Sequence, residues 1–180
     1  AFYLFLPALM AQPMLFTGFM FHQVHLVNEK GWSLASWAGL YILYALISSA
    51  CKLFAGLLVD HYSAVRLVPL VCLPLGLGLL LLALSSSFFI AIAFMCLMGV
   101  SIGVYSTLSS PFYAELYGTQ HLGSIKSLTT STMVLATAVA PVLMGWLIDW
   151  GVSMEQMALG ALFYTLVASA LAALGARSQN

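Results

Sequence analysis

Long apolar runs alternate with short polar breaks along the whole chain. A helix needs about 20 consecutive apolar residues to cross the hydrocarbon core of a bilayer. The pattern therefore predicts an all-α protein with six membrane-spanning helices. Their expected ranges are residues 2–27, 34–59, 65–84, 88–113, 124–148 and 154–174.

Composition supports lipid as the surrounding medium. Hydrophobic residues make up 63% of the 180 positions and charged residues 6%, with a mean hydropathy of +1.06. A soluble domain carries roughly 25% charged residues, so this chain cannot cover a water-facing surface. The formal net charge is zero, which excludes the basic footprint of a nucleic-acid-binding protein.

The positive charges of the short loops predict an orientation. Arg66, Lys126 and Arg177 fall on one side of the predicted bundle, and Lys30 falls on the other. Cytoplasmic loops carry an excess of Lys and Arg. We therefore expect a multi-pass protein of the plasma or inner membrane with both ends of this segment in the cytoplasm.

No signature of cofactor chemistry accompanies the spans. A phosphate-binding Gly-rich loop, a nucleophile elbow and a zinc signature are all missing from the sequence. The three cysteines lie inside apolar runs and are interpreted as small apolar fillers. We expect no enzyme activity, no bound metal and no cofactor. The chain also lacks an initial Met, and its first apolar run is too long for a signal peptide, which suggests a segment of a longer protein.

The loop after the second predicted span carries a motif. It contains Gly56, Asp60 four residues later, and Arg66, with His61 and Ser63 between them. This stretch resembles the signature loop of the major facilitator superfamily, Gly-x-x-x-Asp-Arg-x-Gly-Arg-Arg, although His61 and Ser63 replace the usual basic residue and glycine. The resemblance implies that Gly56, Asp60 and Arg66 help to gate the change of access.

A second segment strengthens the resemblance. Residues 111–118 and 123–126 are followed by a Ser/Thr-rich stretch and by Pro141-x-x-x-Gly145-x-x-x-Asp149. This order is similar to helices 10 and 11 of the same superfamily. It implies that residues 1–180 form one six-helix bundle, the C-terminal half of a twelve-helix transporter, whose partner would be an N-terminal half.

Lys52 lies four residues before Gly56. Monocarboxylate and oxalate/formate transporters carry an arginine at the matching place, so the resemblance implies an organic anion as substrate. Lysine offers a point charge where arginine offers a two-pronged fork. The implied function is a symporter or antiporter that moves a small organic solute, such as a monocarboxylate, by alternating access.

The residues around Lys52 support a polar path. Tyr41, Tyr44, Ser48 and Lys52 follow helical spacing and should share one face. Lys52 lies about 12 Å along the helix from Asp60, within the hydrocarbon layer, where a charge is costly. Either this lysine faces a wet passage and attracts an anionic substrate, or its stem snorkels to the headgroups.

Two further groups are candidates for the substrate site. His22 and Gln23 lie near the end of the first span, with His25 and Glu29 at helical spacing. These residues could contact substrate, relay protons, bind a metal or simply mark a membrane interface. Tyr105 and Ser106 follow a pair of glycines, Gly99 and Gly103, in the fourth span, and could line a cavity.

Proton coupling has no obvious acidic carrier in the sequence. No Asp or Glu lies deep within a predicted span, so a coupling proton would need the other half, a histidine, or the substrate anion paired with Lys52. The remaining alternative is transport by uniport or exchange. Two alternatives stay open: a non-transporting bundle acting as a sensor or assembly factor, and an intramembrane metal enzyme built on His22, His25 and Glu29.

Overall fold

The computed structural model describes residues 2–120 and 122–178, apart from the side chain of Asp60. Over these residues the chain forms seven α-helices that are joined by short loops. Six of the helices are long and apolar enough to cross a membrane, as the hydropathy pattern predicts. The helices are α1 (Phe2–Phe21), α2 (Gln23–Lys30), α3 (Leu34–His61), α4 (Ala64–Leu84), α5 (Phe88–Tyr117), α6 (Leu122–Asp149) and α7 (Met154–Arg177).

The first predicted span divides into two helices, which corrects the sequence-based range of 2–27. His22 interrupts the helix with φ −97° and ψ 21°, and α2 then continues to Lys30. Gly31 ends α2 with φ 68°, a left-handed conformation that glycine adopts without a Cβ clash. Apolarity marks where lipid ends, whereas the backbone can stay helical for several polar residues beyond it.

The same reason explains the other extended helix ends. Helix α5 runs to Tyr117 rather than to residue 113, and α7 runs to Arg177 rather than to residue 174. Helix α3 reaches His61, and α6 begins at Leu122. Prolines inside the helices do not end them, because neighbouring helices satisfy freed backbone groups in membrane bundles.

Phenylalanine pairs join α1 to α5 across the core. Phe5 packs edge-on against Phe112, with ring centroids 5.0 Å apart, and Phe19 packs against Phe94 at 6.3 Å. The sequence order of the two pairs is reversed, so α1 and α5 run antiparallel. Helices α4 and α7 make the most extensive contact in the bundle, and the contact between α3 and α5 is nearly as large.

Helices α3 and α6 lie at the edge of this packing. Only 11% of the most apolar window is buried in each of them, whereas the other four spans bury 33–50%. The two ends of the bundle are the Glu115 end and the Lys30 end. The Glu115 end holds the start of α1, the α3–α4 and α5–α6 loops and the end of α7. The Lys30 end holds the remaining loops.

Candidate functional site

Lys52 lies at the depth of the middle of α5. A Cβ added to Gly103 would approach Cys51 Cβ to 2.6 Å and the Ser48 carbonyl oxygen to 2.8 Å, so the α3 and α5 backbones touch here. The Thr107 hydroxyl also donates to the Lys52 carbonyl oxygen at 3.4 Å. Because Gly103 lies near the midpoint of α5, the Lys52 backbone lies near the middle of the span. Its side chain is exposed on the surface of the chain.

The four residues of the predicted polar stripe on α3 contact different parts of the bundle. Tyr41 donates its hydroxyl hydrogen to Gln23 Oε1 at 2.7 Å, and Trp37 Nε1 donates to the same oxygen at 3.0 Å. Tyr44 stacks on Phe16 with centroids 5.5 Å apart. The structure therefore brings Gln23 and Tyr41, both predicted to line a substrate path, into one hydrogen-bonded group between α2 and α3.

Ser48 follows Tyr44 on the stripe and is buried at the contact with α5. It donates to its own helix, to the Ala45 carbonyl oxygen at 3.0 Å. Lys52 alone of the four stripe residues carries an exposed charge. Helical spacing places the four residues near one another, but a helix packed on two neighbours turns them toward different surroundings.

His22 connects the break in the first span to α6. Its Nε2 lies 2.8 Å from the Pro141 carbonyl oxygen. Since a carbonyl only accepts, Nε2 carries the hydrogen, and in the neutral ring Nδ1 is left as an acceptor. The ring lies against α6 at Gly145, where an added Cβ would make an ordinary contact with His22 Cε1 at 3.6 Å. His22, Thr17 and Thr137 line a crevice of about 380 Å³.

The spacing of His22, His25 and Glu29 does not produce a metal site. His22 binds α6, whereas the Glu29 carboxylate accepts from the Met154 backbone N–H at 2.9 and 3.0 Å. His25 Nε2 lies 3.5 Å from Glu29 Oε2. No group of three or more metal-ligating side chains occurs among the described residues.

Tyr105 and Ser106 do line a polar cavity of about 240 Å³, which lies between α5 and α6 in the half of the bundle nearer the Glu115 end. Lys126 contributes a cation to it, a role that its place in a short polar loop of the sequence did not predict. A signal was present in the sequence, since Lys126, Thr129, Thr130 and Met133 follow helical spacing. The lining residues are Met10, Tyr105, Ser106, Ser109, Tyr113, Lys126, Thr129, Thr130 and Met133.

The signature-loop residues lie at the junction of α3 and α4. Gly56 is in the last turns of α3, and an added Cβ there would meet no heavy atom within 4 Å. Arg66 is exposed in the first turn of α4. The side chain of Asp60 is outside the part that the structure describes. The gating role of these three residues stays a prediction.

A carboxylate fastens each end of the bundle. At one end, Glu115 accepts from the Ala64 and Val65 backbone N–H groups at 2.9 and 3.2 Å, and from the Ser63 hydroxyl at 2.7 Å. At the other end, Glu29 accepts from the first turn of α7, and Lys30 forms an ion pair with Glu155 at 2.6 Å. These contacts satisfy helix N-termini, which otherwise expose unpaired N–H groups.

Six apolar spans and polar residues held between them define a polytopic α-helical membrane protein. A family comparison matches residues 4–178 to the Major Facilitator Superfamily. The chain belongs to this family of membrane transporters, which confirms the expected class and the expectation of a transporter rather than an enzyme. No curated protein and no solved structure gives a match.

Proposed function

We propose that this chain forms part of a secondary transporter that moves a small organic anion, such as a monocarboxylate, by alternating access. Lys52 supplies the charge that attracts the substrate. The family match covers transport as a class. The anion, and the role of Lys52, rest on the placement of this lysine and on its resemblance to the arginine of carboxylate carriers.

The depth of Lys52 is the observation that carries the proposal. Its backbone contacts α5 beside Gly103, near the middle of the span. About 13 Å of helix separates Lys52 from the end of α3 at His61, which exceeds the length of a lysine side chain. A lysine at the centre of a spanning helix costs about 2.5–3.5 kcal/mol on insertion scales unless water or a counter-charge receives it.

The exposure of α3 and α6 supports a passage beside Lys52. These two spans bury the fewest residues, so their outer faces contact either lipid or another bundle. In the proposal, an N-terminal half of six helices covers both faces, and the substrate passes between the halves near the midplane. Lys52 then faces water inside the transporter rather than lipid.

The other predicted site residues take two roles in this proposal. Tyr105 and Ser106 line the polar cavity and could contact the solute. Tyr41, Tyr44 and Gln23 hold α3 against α1 and α2 and so position Lys52, with Ser48 at the α3–α5 contact. His22 ties the broken first span to α6 through Nε2. Contact with the substrate or with a coupling proton is assigned to its second ring nitrogen in this proposal. Gly56, Asp60 and Arg66 keep the gating role that the signature loop implies.

Uptake of radiolabelled pyruvate and oxalate by proteoliposomes containing the complete transporter tests the proposal. We expect Lys52→Gln to lower uptake by about ten- to hundredfold, because a hydrogen bond to a charged group contributes about 1.5–3 kcal/mol. Lys52→Arg keeps the charge and should retain most of the uptake. Arg177→Gln removes an exposed charge at the end of α7 and is the matched control.

Unchanged anion uptake in both Lys52→Gln and Lys52→Glu would refute the charge role of Lys52. A snorkelling lysine predicts that outcome, since its ammonium would lie among headgroups away from the substrate. A transporter that moves neutral solutes, and neither pyruvate nor oxalate, would refute the anion class while leaving the family assignment in place.

A further inference from the structure

The polar cavity between α5 and α6 combines a cation with hydroxyl groups. It has a volume of about 240 Å³ and is lined on the α5 side by Tyr105, Ser106, Ser109 and Tyr113. Lys126 lies across from them in the first turns of α6. A concave site with a few convergent polar groups is the usual form of a small-molecule site.

Among the side chains that the structure describes, no carboxylate balances the charge of Lys126 inside this cavity. Its Nζ donates to the hydroxyl oxygen of Ser110 at 2.8 Å, a neutral acceptor that lies beside the cavity, next to the lining residue Ser109. Glu115 belongs to the same end of the bundle, but its carboxylate is bound to the first turn of α4. Among the acidic side chains that the structure describes, none lines the cavity, and those other than Glu115 lie at the Lys30 end.

The hydroxyl of Tyr105 adds a hydrogen-bond donor whose present partner is weak. It points to the thioether sulfur of Met133 at 3.3 Å, which is a weak acceptor. An anionic oxygen would be a much stronger partner for the same hydrogen. The cavity therefore offers an ammonium group and a phenol hydrogen to a ligand, which favours an anion over a cation.

We propose that this cavity binds a small carboxylate, with the Lys126 ammonium as its counter-charge and Tyr105 as a hydrogen-bond donor. A volume of about 240 Å³ leaves room for a small ligand beside these groups. Small carboxylates such as pyruvate and oxalate are the ligands that we expect there. The inference rests on the anion class of the proposed function and assigns a second station for the same substrate.

The position of the cavity relative to Lys52 suits two successive stations. Thr107 contacts the Lys52 backbone on one side of α5, and the preceding residue, Ser106, lines the cavity on another side. Lys126 reaches Ser110, which is further toward the Glu115 end. A carboxylate released from Lys52 would therefore meet a second cation on its way to that end.

Protection of an introduced thiol tests the site directly. Ser106→Cys and, separately, Thr130→Cys are placed in the complete transporter after its native cysteines have been replaced, and labelling by a maleimide is timed in detergent. Bound ligand should slow labelling by 1 + [L]/Kd, about tenfold at a concentration ten times Kd. Pyruvate, oxalate and inorganic phosphate are compared with chloride at equal ionic strength.

The expected result is protection by pyruvate or oxalate that disappears with Lys126→Gln and persists with Lys126→Arg. Acetate against acetamide repeats the comparison without changing Lys126, which covers a variant that does not fold. Absence of protection, protection that survives Lys126→Gln, or protection by phosphate alone would each overturn the inference. If Lys52→Gln leaves uptake unchanged while protection still depends on Lys126, the role of Lys52 is refuted and the site at Lys126 is retained.

Discussion

Glu29 and Glu115 occupy corresponding positions at opposite ends of the bundle. The six spans form two units of three, α1 to α4 and α5 to α7. Glu29 and Glu115 each lie near the end of the first span of one unit, and each carboxylate caps the last helix of the other unit. Glu29 receives the first N–H of α7, and Glu115 receives the first two N–H groups of α4. Exchange of the two units reproduces the arrangement with the direction reversed.

This exchange is the pattern of an inverted repeat. In major facilitator proteins, each six-helix half contains two three-helix repeats of inverted topology. A carboxylate at a helix N-terminus is favourable because it accepts from unpaired N–H groups and opposes the helix dipole. The two caps therefore hold the two units together at both ends of the bundle.

The ion pair between Lys30 and Glu155 predicts an asymmetric response to mutation. The Lys30 side chain is 1% exposed, whereas that of Glu155 is 45% exposed. Glu155→Ala leaves a buried ammonium without its counter-charge, which costs about 3–5 kcal/mol. Lys30→Met leaves a carboxylate that water can still reach, so its cost should be nearer 1 kcal/mol. Unfolding temperature in detergent should fall further for Glu155→Ala.

The double variant supplies the control for this pair. Lys30→Met with Glu155→Ala removes both charges, and its stability should lie above that of Glu155→Ala alone. An equal loss for the two single variants would contradict the buried environment of Lys30. The Ser85 carbonyl oxygen, which also accepts from Lys30 at 3.2 Å, loses its partner in both Lys30 variants.

Gly103 should tolerate no side chain. A Cβ there would lie 2.6 Å from Cys51 Cβ and 2.8 Å from a backbone oxygen, so Gly103→Ala must separate α3 from α5. Such overpacking costs about 1–3 kcal/mol. We expect a lower unfolding temperature and, because Lys52 shifts with α3, weaker anion uptake.

Gly39→Ala is the matched control in α3. An added Cβ at Gly39 would meet nothing within 4 Å, and alanine is the better helix former by about 1 kcal/mol in soluble hosts. Its unfolding temperature should stay level or rise. If both glycine variants behaved alike, the close approach of α3 to α5 would be wrong.

Gln12 predicts a gain in stability on substitution. Both polar atoms of its side chain are buried in α1 without a hydrogen-bond partner in the described part of the chain. An unsatisfied buried group costs about 1–3 kcal/mol, so Gln12→Leu should raise the unfolding temperature. Gln12→Glu buries an ionisable group and should lower it. A fall with leucine would mean that the amide makes a necessary bond in the working transporter.

The sequence predicted the spans well and the site only in part. Runs of apolar residues gave six helices, because lipid demands them regardless of how they pack. The depth of Lys52 followed from counting residues along α3. The cavity around Lys126 did not follow, because a lysine in the first turns of a helix looks the same whether it faces a loop or a cavity.

The amino-acid order by itself determined the membrane class, the number of spans and the family pattern around Gly56, since each depends on local composition or spacing. Tertiary structure alone decided that His22 breaks its helix to bind α6, that Glu29 and Glu115 cap helices more than fifty residues away, and which hydroxyls meet Lys126. These contacts depend on how helices rotate against one another, and many rotations bury the same apolar area.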